Sequence, residues 1–118
     1  METEIPSQGS SRYAYLVACL EIIDPEALRA YAEIKAPLGE ERGLVMLAKG
    51  QLGRDIRLLA GELPYSGQLV IERFDSMRKL MDFWRSEVFS EARKILEKST
   101  TIHFMVALDG EALPITGF

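Results

Sequence analysis

At 118 residues the chain has the length of one domain and can bury a working core without disulfide or metal staples. Apolar residues at 47% and charged residues at 27% are ordinary for a folded globular protein, which excludes disordered and fibrous classes. A net charge of -4 argues against a phosphate-backbone partner, since nucleic-acid binders carry a basic stripe, and no nucleic-acid partner is expected.

The single Cys19 cannot close an internal disulfide, and one cysteine with one histidine makes no zinc constellation. No metal or cofactor is expected. No apolar run approaches the ~20 residues of a membrane helix, and Met1-Glu2-Thr3-Glu4 lacks the basic and apolar regions of a secretory signal. The expectation is a cytoplasmic protein with no membrane partner.

Residues 1–12 are polar and without periodicity, and read as a flexible N-terminal tail. Over 13–23 the even positions Ala14, Leu16, Ala18, Leu20 and Ile22 are apolar while the odd ones mix Tyr15, Val17 and Cys19 with Glu21, which predicts a strand with two unequal faces. Asp24-Pro25-Glu26 then supplies a capping acceptor, a proline preset for the first helical turn and a carboxylate at the positive end of the dipole. The helix that follows should turn Leu28, Tyr31, Ile34 and Leu38 inward. Pro37 should kink or segment it, and Gly39 and Gly43 mark its end.

Two short apolar runs, 44–49 and 55–63, flank Gln51-Leu52-Gly53-Arg54 and read as a hairpin. Residues 68–74 form the next strand, and Asp75 or Ser76 caps a second helix. That helix carries Met77, Leu80, Met81 and Trp84 at helical spacing and should break once, with Ser86 as a fresh cap before Val88, Phe89, Ala92, Ile95 and Leu96. Over 101–108 strict alternation would place Ile102, Phe104, Val106 and Leu108 on one face and Thr101, His103, Met105 and Ala107 on the other. Residues 111–118 read as a docked C-terminal arm.

The order β-α-β-β-β-α-β over 13–110 is a ferredoxin-like split βαβ arrangement of the α+β class, an antiparallel sheet with two helices on one face and one hairpin added. The uncovered face, with Tyr15, Val17, Cys19, Met105 and Val45 or Leu47, is too apolar for water. A homodimer stacking sheet on sheet into a dimeric α/β barrel would bury it.

The chain resembles domain-of-unknown-function family 1330, within the dimeric α/β-barrel superfamily. The resemblance rests on Tyr15 opening the first strand, Asp24-Pro25-Glu26, the helical Tyr31, Gly61 and Pro64, Phe74 and Ser76, Trp84 with Ser86 and Phe89, and the closing Asp109-Gly110. It implies the fold and the dimer. The superfamily includes cofactor-free monooxygenases, isomerases and haem-degrading enzymes, an analogy at fold level. Cys19 stands where relatives often have Arg, Arg73 where they have Glu, and Asp75 where they have Pro, so a relative's pocket geometry does not carry over directly.

Five residues are candidates for ligand binding, and each has a plainer reading. His103, the sole imidazole, could serve as a general base inside a barrel or simply lie at an interface. Glu72 and Arg73 must point to opposite sides, so Arg73 either clamps a carboxylate or enolate or pairs with Asp82 or Glu91. Tyr31 and Trp84 could wall a small aromatic pocket against the sheet or be core. Tyr15 could donate to a ligand carbonyl or to a partner chain. Cys19 should behave as a buried apolar residue with a raised thiol pKa, and Met77 and Met81 line a pocket or fill gaps.

The reading is a homodimer that binds a small hydrophobic or carboxylated molecule between sheet and helices, touching Tyr15, Tyr31, Arg73, Trp84 and His103. Two others stay open. One is a cofactor-free monooxygenase or isomerase holding an enolisable or aromatic substrate with Tyr15, Arg73 or His103 in one concave pocket. The other is a structural or partner-binding dimer whose arm 111–118 docks on the second subunit.

Overall fold

β1 (Ala14–Ile22) occupies an interior position in a computed structural model that describes residues 12–110. Its small and branched side chains suit it to lie between neighbours: Ala14, Leu16, Ala18 and Leu20 are all buried, and antiparallel partners flank it on both sides. The sheet order is β2-β3-β1-β4, with β2 spanning Val45–Gln51, β3 Gln68–Phe74 and β4 Thr100–Asp109. This is the antiparallel α+β ferredoxin-like fold, with three helical segments on one face.

Helix α1 (Pro25–Glu40) starts where Asp24 accepts a hydrogen bond from the Ala27 N–H at 3.2 Å, with Pro25 at the first helical position, the arrangement that satisfies an otherwise orphaned donor. Tyr31 and Leu38 are buried and Leu28 and Ile34 pack beside them. The helix runs through Pro37 as one element. α2 (Met77–Arg85) is capped by Ser76, whose hydroxyl accepts from the Lys79 N–H. The expected break is present: Ser86 accepts from the Phe89 N–H at 3.1 Å and opens α3 (Glu87–Ser99).

The core between helices and sheet centres on aromatic rings. Phe83 lies 4.3 Å from Phe89 and 5.2 Å from Phe74, while Trp84 and Tyr31 approach Phe89 from two sides at 5.4 and 6.2 Å between centroids. Such tilted contacts add to the apolar burial that holds the layers together.

Two expectations fail. The run 55–63 forms no strand, and β2 connects to β3 through an irregular segment with a single bridge between Leu52 and Ile56. Asp55 is drawn into a tight local turn instead, accepting from the Gln51 N–H and pairing with Arg54. Further on, Leu58 and Leu59 are both exposed, Leu59 by 94%, so the apolar run has no face to bury, and Pro64 offers no ladder N–H.

The second failure is in β4. A register shift opposite Cys19/Leu20 pairs Cys19 with Phe104 and Leu20 with Ile102, leaving His103 as the extra residue. A bulge of this kind reverses the face of everything beyond it. Met105, expected on the uncovered face, pairs with Ala18 and packs into the core, whereas Phe104 lies beside Cys19 on the uncovered face. The proposed tail up to residue 11 and the arm 111–118 lie outside the described residues.

Candidate functional site

A cleft with both apolar and charged walls lies between α1 and the sheet. It encloses about 220 Å³ and is lined by Leu16, Ala18, Leu20, Ile22 and Val70 from the strands and by Leu28, Tyr31 and Lys35 from α1, with Met46, Lys49, Gln68 and Glu72. Alternation decides which β3 side chains reach it. Glu72 pairs in register with Leu16, so it faces the helices, while Arg73 pairs with Tyr15 and faces away. Glu72 is 1% exposed and meets the Lys35 ammonium, which offsets part of the cost of burying a carboxylate among apolar groups.

Tyr31 stands beside this pair, with the Lys35 ammonium 5.7 Å from its ring centroid. Burial, and after it the negative charge of Glu72, push the Tyr31 phenol well above the ordinary tyrosine range. The phenol therefore stays neutral, able to donate one hydrogen bond inside an apolar cleft. Lys35, Lys49 and Glu72 give the lining two ammonium groups and one carboxylate, a net positive site.

Trp84 lines a neighbouring cleft of about 220 Å³ with Leu16, Leu80, Met81, Met105, Val106 and Ala107. Leu16 and Met105 border both spaces. Tyr31 and Trp84 therefore wall two adjoining clefts, not one, with Phe89 between their rings. Arg93 lies over the Trp84 ring at 4.6 Å.

The remaining three candidates sit on the uncovered face. Tyr15 and Arg73 are register neighbours at one end, and the Arg73 guanidinium stacks 4.2 Å above Tyr13, not against Asp82 or Glu91. His103 is at the other end, stacked on Tyr65 at 5.2 Å and with Nε2 3.7 Å from a Glu21 carboxylate oxygen that also accepts from Ser66 Oγ at 2.9 Å. Within one subunit Tyr15, Arg73 and His103 do not converge on one concave pocket. Cys19, between the two ends, is fully buried and burial pushes its thiol up.

Sequence reasoning missed Lys35 and Lys49 and gave Glu72 no role of its own. The available signal was a carboxylate flanked by Val70, Ile71 and Phe74 on a strand, together with a lysine four residues after Tyr31 on the inward stripe. Among the described residues no group of three or more His, Cys, Asp or Glu side chains could hold a metal ion. Among those residues, too, no helix is long and apolar enough to cross a membrane.

Several solved structures share this architecture. Two are crystal structures of RPA0582, a protein of unknown function from Rhodopseudomonas palustris. The methylated protein matches with a TM-score of 0.64 at 19% identity, covering 91% of this chain and 84% of that one; the other matches at 0.62 and 20%, covering 89% and 85%. Protein YJCS matches at 0.50 and 12%, covering 86% of this chain and 99% of that one. At these identities the likeness establishes the fold alone. No functionally curated protein matches the sequence. The family model described as Domain of unknown function (DUF1330) matches residues 13–110, essentially every element from β1 to β4, and the chain belongs to that family.

Proposed function

We propose that the chain acts as a homodimer in which each subunit binds a small, mainly apolar molecule with one anionic end in the cleft between α1 and the sheet. One observation carries this reading: an apolar cleft of about 220 Å³ holds Lys35, Lys49, Glu72 and a neutral Tyr31 along its lining. Ligand sites combine an apolar wall with a few convergent polar groups in this way. Lys35 is already neutralised by Glu72, so the surplus charge is that of Lys49, which fits one carboxylate and not a phosphate cluster. The Tyr31 hydroxyl supplies a donor.

The homodimer is supported by the opposite face. Val45, Val106 and Leu108 are each exposed and lie opposite Arg73, Val17 and Tyr15 in the registers of the sheet, with Ile71 on the other side of Val17, an apolar surface of the kind that marks an interface.

Thermal-shift screening of small aromatic acids and lactones, each beside its neutral amide, tests the ligand class. Acids should raise the melting temperature, and Lys49→Met should reduce that gain for acids while leaving neutral analogues unchanged. Equal responses to acids and amides, or none to any, would defeat the assignment.

A further inference from the structure

The uncovered sheet face carries a charge pattern that selects one way of pairing with a copy of itself. In the strand registers, Tyr15, Val17, Cys19 and Glu21 share this face with Arg73 of β3 and with Phe104 and Val106 of β4. Tyr65 of the β2–β3 segment packs on His103 and Phe104 toward the Glu21 end of the face, leaving the Glu21 side chain half exposed. Two full charges stand on it, Arg73 at one end and Glu21 at the other. Arg73 lies level with Tyr15, and six residue steps of roughly 3.3 Å separate position 15 from position 21, so the charges are about 20 Å apart along the strands. They cannot neutralise each other within one subunit.

Each is also incompletely satisfied. Arg73 Nε is buried with no hydrogen-bond partner among the described residues, its guanidinium lying on the Tyr13 ring. Glu21 has a side chain half exposed, with His103 the nearest cationic group at 3.7 Å. Covering this face with an apolar partner would strip water from an unpaired guanidinium, a cost that a carboxylate brought by the partner offsets.

Stacking two copies face to face about a two-fold axis allows two limiting arrangements. With the axis along the strands, like ends coincide, Arg73 lies near the partner's Arg73, and the repulsion disfavours assembly. With the axis across the strands, each end meets its opposite. Sheets stack about 10 Å apart and neighbouring strands about 4.8 Å, spans that an arginine and a glutamate side chain close together. We infer that the two subunits join through their sheet faces with the axis running across the strands near Ala18, so that Arg73 of one subunit pairs with Glu21 of the partner subunit, twice per dimer. This inference rests on the homodimer reading and fixes its geometry.

Charge exchange tests it. Arg73→Glu and Glu21→Arg are made singly and together in the full chain, and dimer dissociation is measured by analytical ultracentrifugation, with circular-dichroism melts confirming that each variant is folded. Each single change places like charges together twice and should weaken the dimer by at least about tenfold, as desolvated charge pairs across interfaces do. The double variant restores opposite charges and should return to within a few-fold of the starting protein. Ser66→Ala, which removes the hydrogen bond to Glu21 but no charge, should leave the dimer intact. A starting protein that is monomeric at micromolar concentration removes the homodimer reading itself. Single variants that dimerise normally, or a double variant no tighter than the singles, overturn the pairing while leaving a dimer of other geometry.

Discussion

Lys35 of α1 and Glu72 of β3 form an ion pair inside the apolar layer between helix and sheet. The contact ties those two elements together through their side chains, and it sits on the wall of the cleft proposed to bind ligand.

Breaking one side of the pair should cost far more than removing both. Lys35→Met leaves an uncompensated buried carboxylate and should destabilise the fold by about 3–5 kcal/mol, whereas Lys35→Met with Glu72→Leu should be near neutral. Urea unfolding of the two singles and the double, read as a double-mutant cycle, checks this. Additive costs would mean that the groups do not interact.

Tyr31 makes stability sensitive to alkali. Its phenol is raised in the folded state above the unfolded value of about 10, so the folded chain keeps a proton that the unfolded chain loses. The associated stability is fully present below about pH 10 and is lost as pH rises beyond that point. Tyr31→Phe should flatten this part of the decline, measured as urea midpoints between neutral and alkaline pH. Identical alkaline profiles for the two proteins would contradict the burial of a neutral phenol.

Ser86 serves both helices that meet at it, accepting from the Phe89 N–H at 3.1 Å and donating to the Phe83 carbonyl at 3.0 Å. Ser86→Ala should therefore cost about 1 kcal/mol, typical of a lost N-cap, and Ser86→Thr much less. Thermal and urea melts of the two variants give the comparison.

Cys19 should be inert in the native protein, since its side chain is fully buried and burial raises its thiol, leaving little thiolate. Mass spectrometry after iodoacetamide treatment should find it unmodified near neutral pH and fully modified in denaturant. Rapid native labelling would show that the face around it opens.

Most of the fold was legible because local chemistry and periodicity agreed. Asp24-Pro25, Ser76 and Ser86 each cap the helix that their sequence context announced, and β1 and β3 alternate as amphipathic strands do. The error over 55–63 came from treating apolar content as a strand signal where the chain turns on Asp55 and leaves adjacent leucines outside. In β4 a one-residue bulge reversed the predicted faces, something period-two alternation cannot anticipate. The candidate site was less legible. Tyr31 and Trp84 border real clefts, but the charged lining depends on Glu72 facing inward, which follows only once the register of β3 against β1 is known. Tyr15, Arg73 and His103 looked like partners because their types suit catalysis, and the sheet keeps them apart.

The supernumerary His103 acts as a phase shifter in β4. Deleting it should close the bulge and leave Phe104 opposite Cys19 and Met105 opposite Ala18, whereas drawing it into the ladder as a paired residue would turn Met105 away from both clefts and Phe104 toward the helices. One unpaired residue thus decides which of two chain neighbours, Phe104 or Met105, furnishes the ligand cavity and which the subunit contact, without any change in the other three strands.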